Sequence, residues 1–241
     1  MRDYSQEFEK RVAYIRAKLQ EAHADGVVFG NSGGKDSALV GILCKAACDN
    51  TVGVLLPCAS KQNYGRDTDD ARALAAQFNI ESRTVDLTAV REQEIKAIEG
   101  VCTLNDMALT NIAPRLRMTT LYAVAAAEGL LVAGTGNRSE GYMGYYTKWG
   151  DGAHDFNPIS DLTATEVIAF LKFLGAPRSI VEKAPSAGLF DGQTDEQEMG
   201  VTYEAIDRYL TEGTATEKDR AIIERFHSRS EHKRRPIPTY K

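Results

Sequence analysis

The sequence predicts an α/β fold, in which a parallel β-sheet is flanked by helices in a Rossmann-like arrangement. Three observations support this prediction. Short apolar runs typical of buried strands alternate with segments of helical periodicity. A glycine-rich turn follows the first of these runs. A composition of 43% hydrophobic and 26% charged residues over 241 positions is ordinary for a globular protein, and we expect one domain spanning residues 1–241.

The elements of this fold follow in order along the first part of the chain. Apolar side chains recur with a helical period over residues 5–24, which predicts a first helix. Strands are then predicted at residues 26–30, 52–56, 82–85 and 130–134, with helices between them at residues 36–48, 66–78, 88–98 and 105–128. Alternation of this kind indicates a parallel sheet whose ligands bind at the carboxyl ends of the strands.

The last third of the chain has a different character. Residues 141–161 and 184–200 are rich in Gly, Asp and Tyr and lack a clear period. Helices are predicted at residues 163–174, 201–210 and 216–227. Irregular segments this long are usually functional in a compact domain. We therefore expect substrate loops here rather than a second domain.

The charge and hydropathy of the chain exclude some classes of protein. A formal net charge of −5 and a pI of about 5.5 argue against broad nucleic-acid binding, which favours a basic face. No stretch approaches the roughly 20 uninterrupted apolar residues of a membrane helix. The first seven residues are polar and charged, unlike a secretory signal. We expect a cytoplasmic protein that binds neither nucleic acid nor membrane.

Residues 32–37, with the sequence Ser-Gly-Gly-Lys-Asp-Ser, form the glycine-rich turn between the first strand and the following helix. Such a turn collects backbone N–H groups and the positive end of the helix at one point, which suits a phosphate group. Ser32 and Ser37 add hydroxyl donors, and Asp36 adds a carboxylate suited to Mg²⁺. The turn is not a Walker A loop, because Lys35 is followed by Asp36 rather than by Ser or Thr.

A second loop, Gly-Thr-Gly-Asn at residues 134–137, follows the last predicted strand. Since the carboxyl ends of parallel strands meet at one edge of a sheet, we expect both loops to line one cleft. Glu140 lies just beyond the second loop, and we assign Asp36 and Glu140 to Mg²⁺. The alternative for Glu140 is an acid in the first turn of a helix, where the helix dipole stabilises it.

Further motifs accompany these two loops. They are Asn-x₃-Arg-x-Arg-Met at residues 111–118 and the segments at residues 144–155, 185–189, 194–196 and 231–234. In this order, the motifs resemble those of the ammonia-dependent NAD⁺ synthetases, which are N-type ATP pyrophosphatases, over about residues 10–236. The resemblance implies an adenine nucleotide alpha hydrolase-like fold. It also implies a chain without the glutaminase domain of the glutamine-dependent branch, so ammonia itself is the expected nitrogen donor.

The resemblance implies a specific reaction. ATP and deamido-NAD⁺ (nicotinic acid adenine dinucleotide) bind together with Mg²⁺, and the nicotinate carboxylate attacks the α-phosphate and releases pyrophosphate. Ammonia then attacks the acyl-adenylate, which gives NAD⁺ and AMP.

The family also implies a homodimer, which would bury the apolar faces of residues 105–128. Burial of those faces inside the subunit is the alternative.

The resemblance also implies roles for individual residues, by matching position. The ATP site comprises Gly30, Asn31, Ser32, Gly33, Gly34, Lys35, Asp36, Ser37, Thr135 and Ser186. The deamido-NAD⁺ site comprises Arg115, Lys148, Asp155, His232 and Lys233. Asp36 and Asp151 are the catalytic residues, and Asp151 is expected to attract and deprotonate ammonium. Without the resemblance, Asp151 is an ordinary Gly-Asp-Gly turn residue, the cations are solvated surface groups, and residues 232–235 are a fraying tail.

The chain departs from the family pattern at Ala164, where a lysine that reaches the ATP phosphates is usual. Loss of such a charge-assisted contact costs about 1.5–3 kcal/mol. We expect Lys35 to stand in for the missing cation, with Lys148, Lys172 and Lys183 as other candidates.

Two alternatives to the ligase stay open. One is another pyrophosphate-loop enzyme, such as a tRNA thiolase or GMP synthetase, and the other is a nucleotide-binding homologue without turnover, which only Ala164 favours.

Overall fold

The computed structural model of the chain describes residues 2–58, 65–183 and 195–240. The strands of the described part are β1 (Gly26–Gly30), β2 (Thr51–Leu55), β3 (Glu81–Thr84) and β4 (Leu130–Val132). They form one parallel sheet in the order β3-β2-β1-β4. The predicted α/β fold is therefore confirmed, and each predicted strand lies within two residues of its observed position.

The helices surround this sheet. They are α1 (Tyr4–Ala22), α2 (Lys35–Ala47), α3 (Arg66–Gln77), α4 (Thr88–Glu99), α5 (Asp106–Glu128), α6 (Arg138–Met143), α7 (Ala164–Phe173), α8 (Arg178–Val181), α9 (Asp195–Met199), α10 (Tyr203–Glu212), α11 (Glu217–Arg229) and α12 (Glu231–Arg234). The short helices α8, α9 and α12 lie outside the predicted helices, because fewer than two turns show no hydrophobic period, whereas α6 contains the helix start expected at Glu140. Within the three described ranges, none of the helices combines the length and the apolar character that crossing a membrane requires.

Two hydrophobic cores cover the two faces of the sheet. On one face, Val27 and Phe29 of β1 pack with Leu39 of α2 and with residues of α1 and α7. On the other face, Val28 of β1 packs against α5. Consecutive side chains of a strand point to opposite faces, so one short strand supplies both cores. Gly41 of α2 leaves the space that the Phe29 ring fills, since a Cβ there would lie 2.5 Å from the ring.

A third apolar cluster joins the helices of the C-terminal part. Met143 of α6, Ile206 of α10 and Ile223 of α11 are fully or almost fully buried in it. The helices predicted at residues 201–210 and 216–227 are therefore confirmed as α10 and α11, and residues 144–161, predicted as a loop, form no helix. The cluster holds α6, and with it Glu140, at the carboxyl edge of the sheet.

Candidate active site

A cleft of about 1210 Å³ lies at the carboxyl edge of the sheet. The loops that follow β1 and β4 both line it, because these strands are neighbours in the sheet. The predicted residues found along its walls are Gly30, Asn31, Ser32, Gly34, Lys35, Asp36, Ser37, Thr135, Glu140, Asp151 and Lys233. The expectation that residues 32–37 and 134–137 share one cleft is thus confirmed. The volume exceeds that of a typical single-ligand pocket and leaves room for two nucleotides.

The phosphate loop, residues 32–37, has a defined shape. Gly33 has a φ of +71°, and a Cβ at this position would lie 2.1 Å from the carbonyl oxygen of Asp67, so only glycine fits. The Ser32 hydroxyl accepts a hydrogen bond from Gly34 N at 3.2 Å and lies 3.0 Å from the Ser37 hydroxyl. Since α2 starts at Lys35, the free N–H groups of its first turn sit beside these hydroxyls. This arrangement is suited to an anion.

Asn137 joins the two loops through the carboxylates predicted to bind Mg²⁺. Its side-chain amide donates to Asp36 at 3.0 Å, and its backbone N–H donates to the Glu140 carboxylate at 3.0 Å. Asn137 also caps α6 by accepting from Glu140 N. Glu140 is therefore both the first-turn acid of the alternative interpretation and a close neighbour of Asp36 in the cleft.

Burial and mutual repulsion affect both carboxylates. Burial raises the pKa of Asp36 to about 6, although the hydrogen bond from Asn137 opposes the shift. Burial also raises the pKa of Glu140 well above its usual value, and the charge of Asp36 adds to the effect. A carboxylate pair of this kind fits a divalent cation that completes its coordination with phosphate oxygens and water. In the described ranges, no group of three or more His, Cys, Asp or Glu side chains forms a complete metal site.

Asp151 occupies a tight turn that opens onto the cleft. Its carboxylate accepts from Thr147 N at 3.0 Å, and the carbonyl of Thr147 accepts from Gly150 N and Gly152 N. The side chain is exposed to the cleft, yet the surrounding protein removes enough water to raise its pKa, against the charges of Lys233 and other cations. Asp151 is thus a turn residue and a cleft carboxylate at once.

Three of the residues assigned to deamido-NAD⁺ contact one another, and each is adjacent in sequence to a residue that lines the cleft, so we call them the rim group. The Arg115 guanidinium donates to the carbonyl of Lys148 at 3.4 Å, and the Lys148 ammonium donates to the carbonyl of His232 at 2.8 Å. Next to His232, the Lys233 ammonium enters the cleft and donates to the carbonyl of Gly144 at 2.7 Å. The alternative that residues 232–235 are a fraying tail is wrong, because α12 holds residues 231–234 against the loop after α6.

Asp155 stands apart from this group. Its carboxylate accepts from Val132 N at 2.8 Å and from the Tyr122 hydroxyl at 3.1 Å. Burial of the phenol, together with the charge of Asp155, raises the pKa of Tyr122 to about 12. These contacts fasten the end of β4 to α5. Ser186 and the motif at residues 185–189 lie outside the described residues.

The four lysines considered as replacements for a cation at position 164 differ in whether they line the cleft. Ala164 lines the cleft, and so do Lys35 and Lys183, whereas Lys148 and Lys172 do not. Lys183 forms ion pairs with carboxylates of α3. Lys35 donates to a backbone carbonyl, that of Lys183, and burial lowers the pKa of Lys35. Lys35 is therefore the candidate best placed to reach a phosphate.

Sequence reasoning missed several residues of the site. Asn137 lay inside a noted motif but received no role, although Asn followed by Glu three residues later is the signature of a helix cap. Tyr203 lines the cleft and donates its hydroxyl to Asp195 at 3.2 Å. From the sequence, Lys183 is only a possible phosphate cation, because its contacts with α3 cross more than 110 positions and no local pattern signals them.

With this geometry in place, comparison with known proteins identifies the family. The model of the family described as NAD synthase matches residues 7–237. The chain belongs to the NAD synthase family. It is 44% identical to the NH(3)-dependent NAD(+) synthetase of Carboxydothermus hydrogenoformans, over 97% of this chain and 96% of that protein.

Two solved structures extend the comparison. The NMN synthetase of Francisella tularensis is 37% identical and superposes with a TM-score of 0.94 over 100% of this chain and 99% of that one. The NH3-dependent NAD synthetase of Campylobacter jejuni is 30% identical, with a TM-score of 0.81 over the full length of both chains. Membership in this family favours the C–N ligase over the two alternatives that the sequence left open.

Proposed function

We propose that this protein amidates deamido-NAD⁺ with ammonia at the expense of ATP, and forms NAD⁺, AMP and pyrophosphate. One observation carries the proposal. In a member of the NAD synthase family, Asn137 holds Asp36 and Glu140 together beside a phosphate loop, inside a cleft large enough for both nucleotides. The cytoplasmic location expected from the sequence, a single domain and the use of free ammonia belong to the same proposal.

Activation of the acceptor explains the need for ATP. A carboxylate is inert to ammonia because its leaving group would be oxide, and adenylation supplies AMP as the leaving group instead. The attack brings an anionic carboxylate against an anionic triphosphate, and each pair of unit charges about 4 Å apart repels by about 4 kcal/mol in a partly screened site. Backbone N–H groups of the phosphate loop and the Lys35 ammonium offset this repulsion. Bound Mg²⁺, held by Asp36 and Glu140, supplies further charge neutralisation.

The second step uses a different part of the cleft. We assign Asp151 to bind ammonium and accept a proton, so that neutral ammonia attacks the acyl-adenylate. Its raised pKa makes it a better proton acceptor than an exposed aspartate. The nearby Lys233 ammonium and the rim group of Arg115, Lys148 and His232 would hold the anionic acceptor.

A homodimer is part of the proposal. The apolar residues of α5 that suggested it contact the core of their own subunit, but four of the five remain half-buried. The five are Leu116, Leu121, Tyr122, Val124 and Ala125. Val101, just after α4, and Met107, in the first turn of α5, are exposed at 85% and 75% and would meet a second copy. Sedimentation at micromolar concentration should give twice the chain mass, and a monomer would contradict this assignment.

A second acceptor, deamido-NMN, is suggested by the NMN synthetase of Francisella tularensis, which superposes with a TM-score of 0.94, against 0.81 for the NH3-dependent NAD synthetase of Campylobacter jejuni. The same chemistry on deamido-NMN would yield NMN. We expect a kcat/KM for deamido-NAD⁺ at least tenfold above that for deamido-NMN, measured at fixed ATP, Mg²⁺ and ammonium. The opposite order would make the mononucleotide the substrate, and turnover of neither would reject both.

The Ala164→Lys variant tests the missing cation. Position 164 lines the cleft at the start of α7, and a lysine there adds a charge-assisted contact to phosphate. We expect the KM for ATP to fall about tenfold, which corresponds to about 1.4 kcal/mol. Ala164→Met is the control of similar length without charge. An unchanged or weaker ATP affinity in the lysine variant would show that another group already fills the gap.

A further inference from the structure

Lys183 contacts both the phosphate loop and helix α3. Its ammonium contacts the carboxylate of Asp67, lies 3.1 Å from the carboxylate of Asp70, and donates to the carbonyl of Gly33 at 3.4 Å. Its own carbonyl accepts from the Lys35 ammonium. The side chains of Lys183, Asp67 and Asp70 are only 11%, 11% and 5% exposed. These are buried charges, held by side-chain and backbone contacts.

Asp67 and Asp70, the two aspartates that contact Lys183, lie next to the phosphate loop. They lie in the first turns of α3, and the carbonyl of Asp67 packs against Gly33 so closely that no Cβ fits between them. Both carboxylates share the Lys183 ammonium with the Gly33 carbonyl and therefore lie close to the phosphate loop, where their charge repels a bound anion unless a cation neutralises it. Buried charges such as these two carboxylates are poorly screened by solvent and salt. Removal of the Lys183 ammonium would therefore leave them uncompensated.

We propose that Lys183 is a positioning residue for ATP. It neutralises Asp67 and Asp70 beside the phosphate loop, ties that loop to α3 through Gly33, and holds the Lys35 ammonium at the cleft. Lys183 acts through these groups and not by direct contact with phosphate, since its ammonium is already engaged by two carboxylates. The inference deepens the proposed function, because it assumes that the loop receives the triphosphate of ATP.

Lys183→Met removes the charge and keeps a similar length. We expect the KM for ATP to rise about 10–100-fold, while the KM for deamido-NAD⁺ changes less than about threefold. Lys172→Met, on the exposed surface of α7, is the matched control and should leave both constants unchanged. An equal rise in both KM values, or no rise in either, would overturn the inference.

A charge-balancing variant separates electrostatic positioning from packing. In Lys183→Met combined with Asp70→Asn, one of the two uncompensated negative charges is removed, and we expect at least a tenfold recovery of ATP affinity relative to Lys183→Met. A double variant as weak as the single one would refute the role. If Lys183→Met does not fold, as judged by circular dichroism, the double variant carries the test alone. Binding within about tenfold of the wild type supports the inference, and a loss above 100-fold overturns it.

Direct binding keeps this test independent of the amidation reaction. Calorimetry with MgATP alone, without acceptor or ammonium, measures ATP affinity in every variant. Weaker binding in Lys183→Met with recovery in the double variant supports the inference even if no NAD⁺ is made, in which case only the proposed function fails. Formation of NAD⁺ together with an ATP affinity unaffected by Lys183→Met would reject the inference alone.

Discussion

Asp36→Asn is expected to abolish pyrophosphate release, with a fall of at least about 1000-fold, while the fold persists. Asparagine keeps the shape of the side chain but removes the charge that, with Glu140, is assigned to Mg²⁺. Without that ion the repulsion between the acceptor carboxylate and the triphosphate is no longer offset. The measurement is release of pyrophosphate in a single turnover with saturating ATP and deamido-NAD⁺. Asp49→Asn, at an exposed surface position, is the matched control.

The same variant should make the ligand-free protein more stable. Two buried carboxylates repel each other in the native state, so replacing one removes unfavourable energy, about 1–3 kcal/mol at neutral pH. The pH dependence has a definite sign. Because the native pKa of Asp36 is raised from 3.8 to about 6, the folded protein retains a proton that the unfolded chain loses, and stability falls as pH rises from about 4 to about 6.

Two results would contradict the Asp36 account. Turnover of Asp36→Asn at the wild-type rate would show that the metal assignment is wrong. A ligand-free variant less stable than the wild type at pH 7 would show that the Asn137 hydrogen bond to Asp36 outweighs the repulsion from Glu140. Thermal unfolding of both proteins at pH 4 and pH 7, without Mg²⁺, measures this balance.

Asp151→Asn is expected to separate the two steps of the reaction. Asparagine still accepts the hydrogen bond from Thr147 N, so the turn should persist, but it neither attracts ammonium nor takes its proton. We expect NAD⁺ formation to fall at least about 100-fold. Adenylation should continue, since Asp36, Glu140 and the phosphate loop are intact.

Isotope exchange between pyrophosphate and ATP measures adenylation by itself. In the presence of deamido-NAD⁺ and the absence of ammonium, Asp151→Asn should exchange label within about threefold of the wild-type rate. Equal loss of exchange and of NAD⁺ formation would place Asp151 in the first step, or in holding the acceptor. Exchange and NAD⁺ formation that both remain normal would reduce Asp151 to the turn residue of the alternative interpretation.

The parts of this site that the sequence predicts well are local. Residues 32–37 carry the glycine turn, both hydroxyls and Asp36 within six positions, and residues 134–140 carry the second loop with Glu140. The parallel sheet then brings the two loops together, because β1 and β4 are neighbours. Each of these inferences needs only a short motif and a general rule about parallel sheets.

The parts that the sequence does not predict depend on contacts across the chain. Lys183 looked like a spare cation, and only the structure shows it engaged with Asp67 and Asp70. The rim group of Arg115, Lys148 and His232 assembles from three distant segments through backbone carbonyls, which any residue provides. The role of α5 could not be decided either, because an apolar helix face looks the same whether it packs on its own sheet or on a second subunit.

The central claim is that the acceptor carboxylate attacks the α-phosphorus of ATP in this cleft. Deamido-NAD⁺ labelled with ¹⁸O in the nicotinate carboxylate tests it directly, with mass spectrometry of the products after reaction with ATP, Mg²⁺ and ammonium. The account predicts one ¹⁸O atom in AMP, none in pyrophosphate, and equal amounts of NAD⁺, AMP and pyrophosphate. Formation of ADP with ¹⁸O in orthophosphate would mean attack at the γ-phosphorus and would contradict the account.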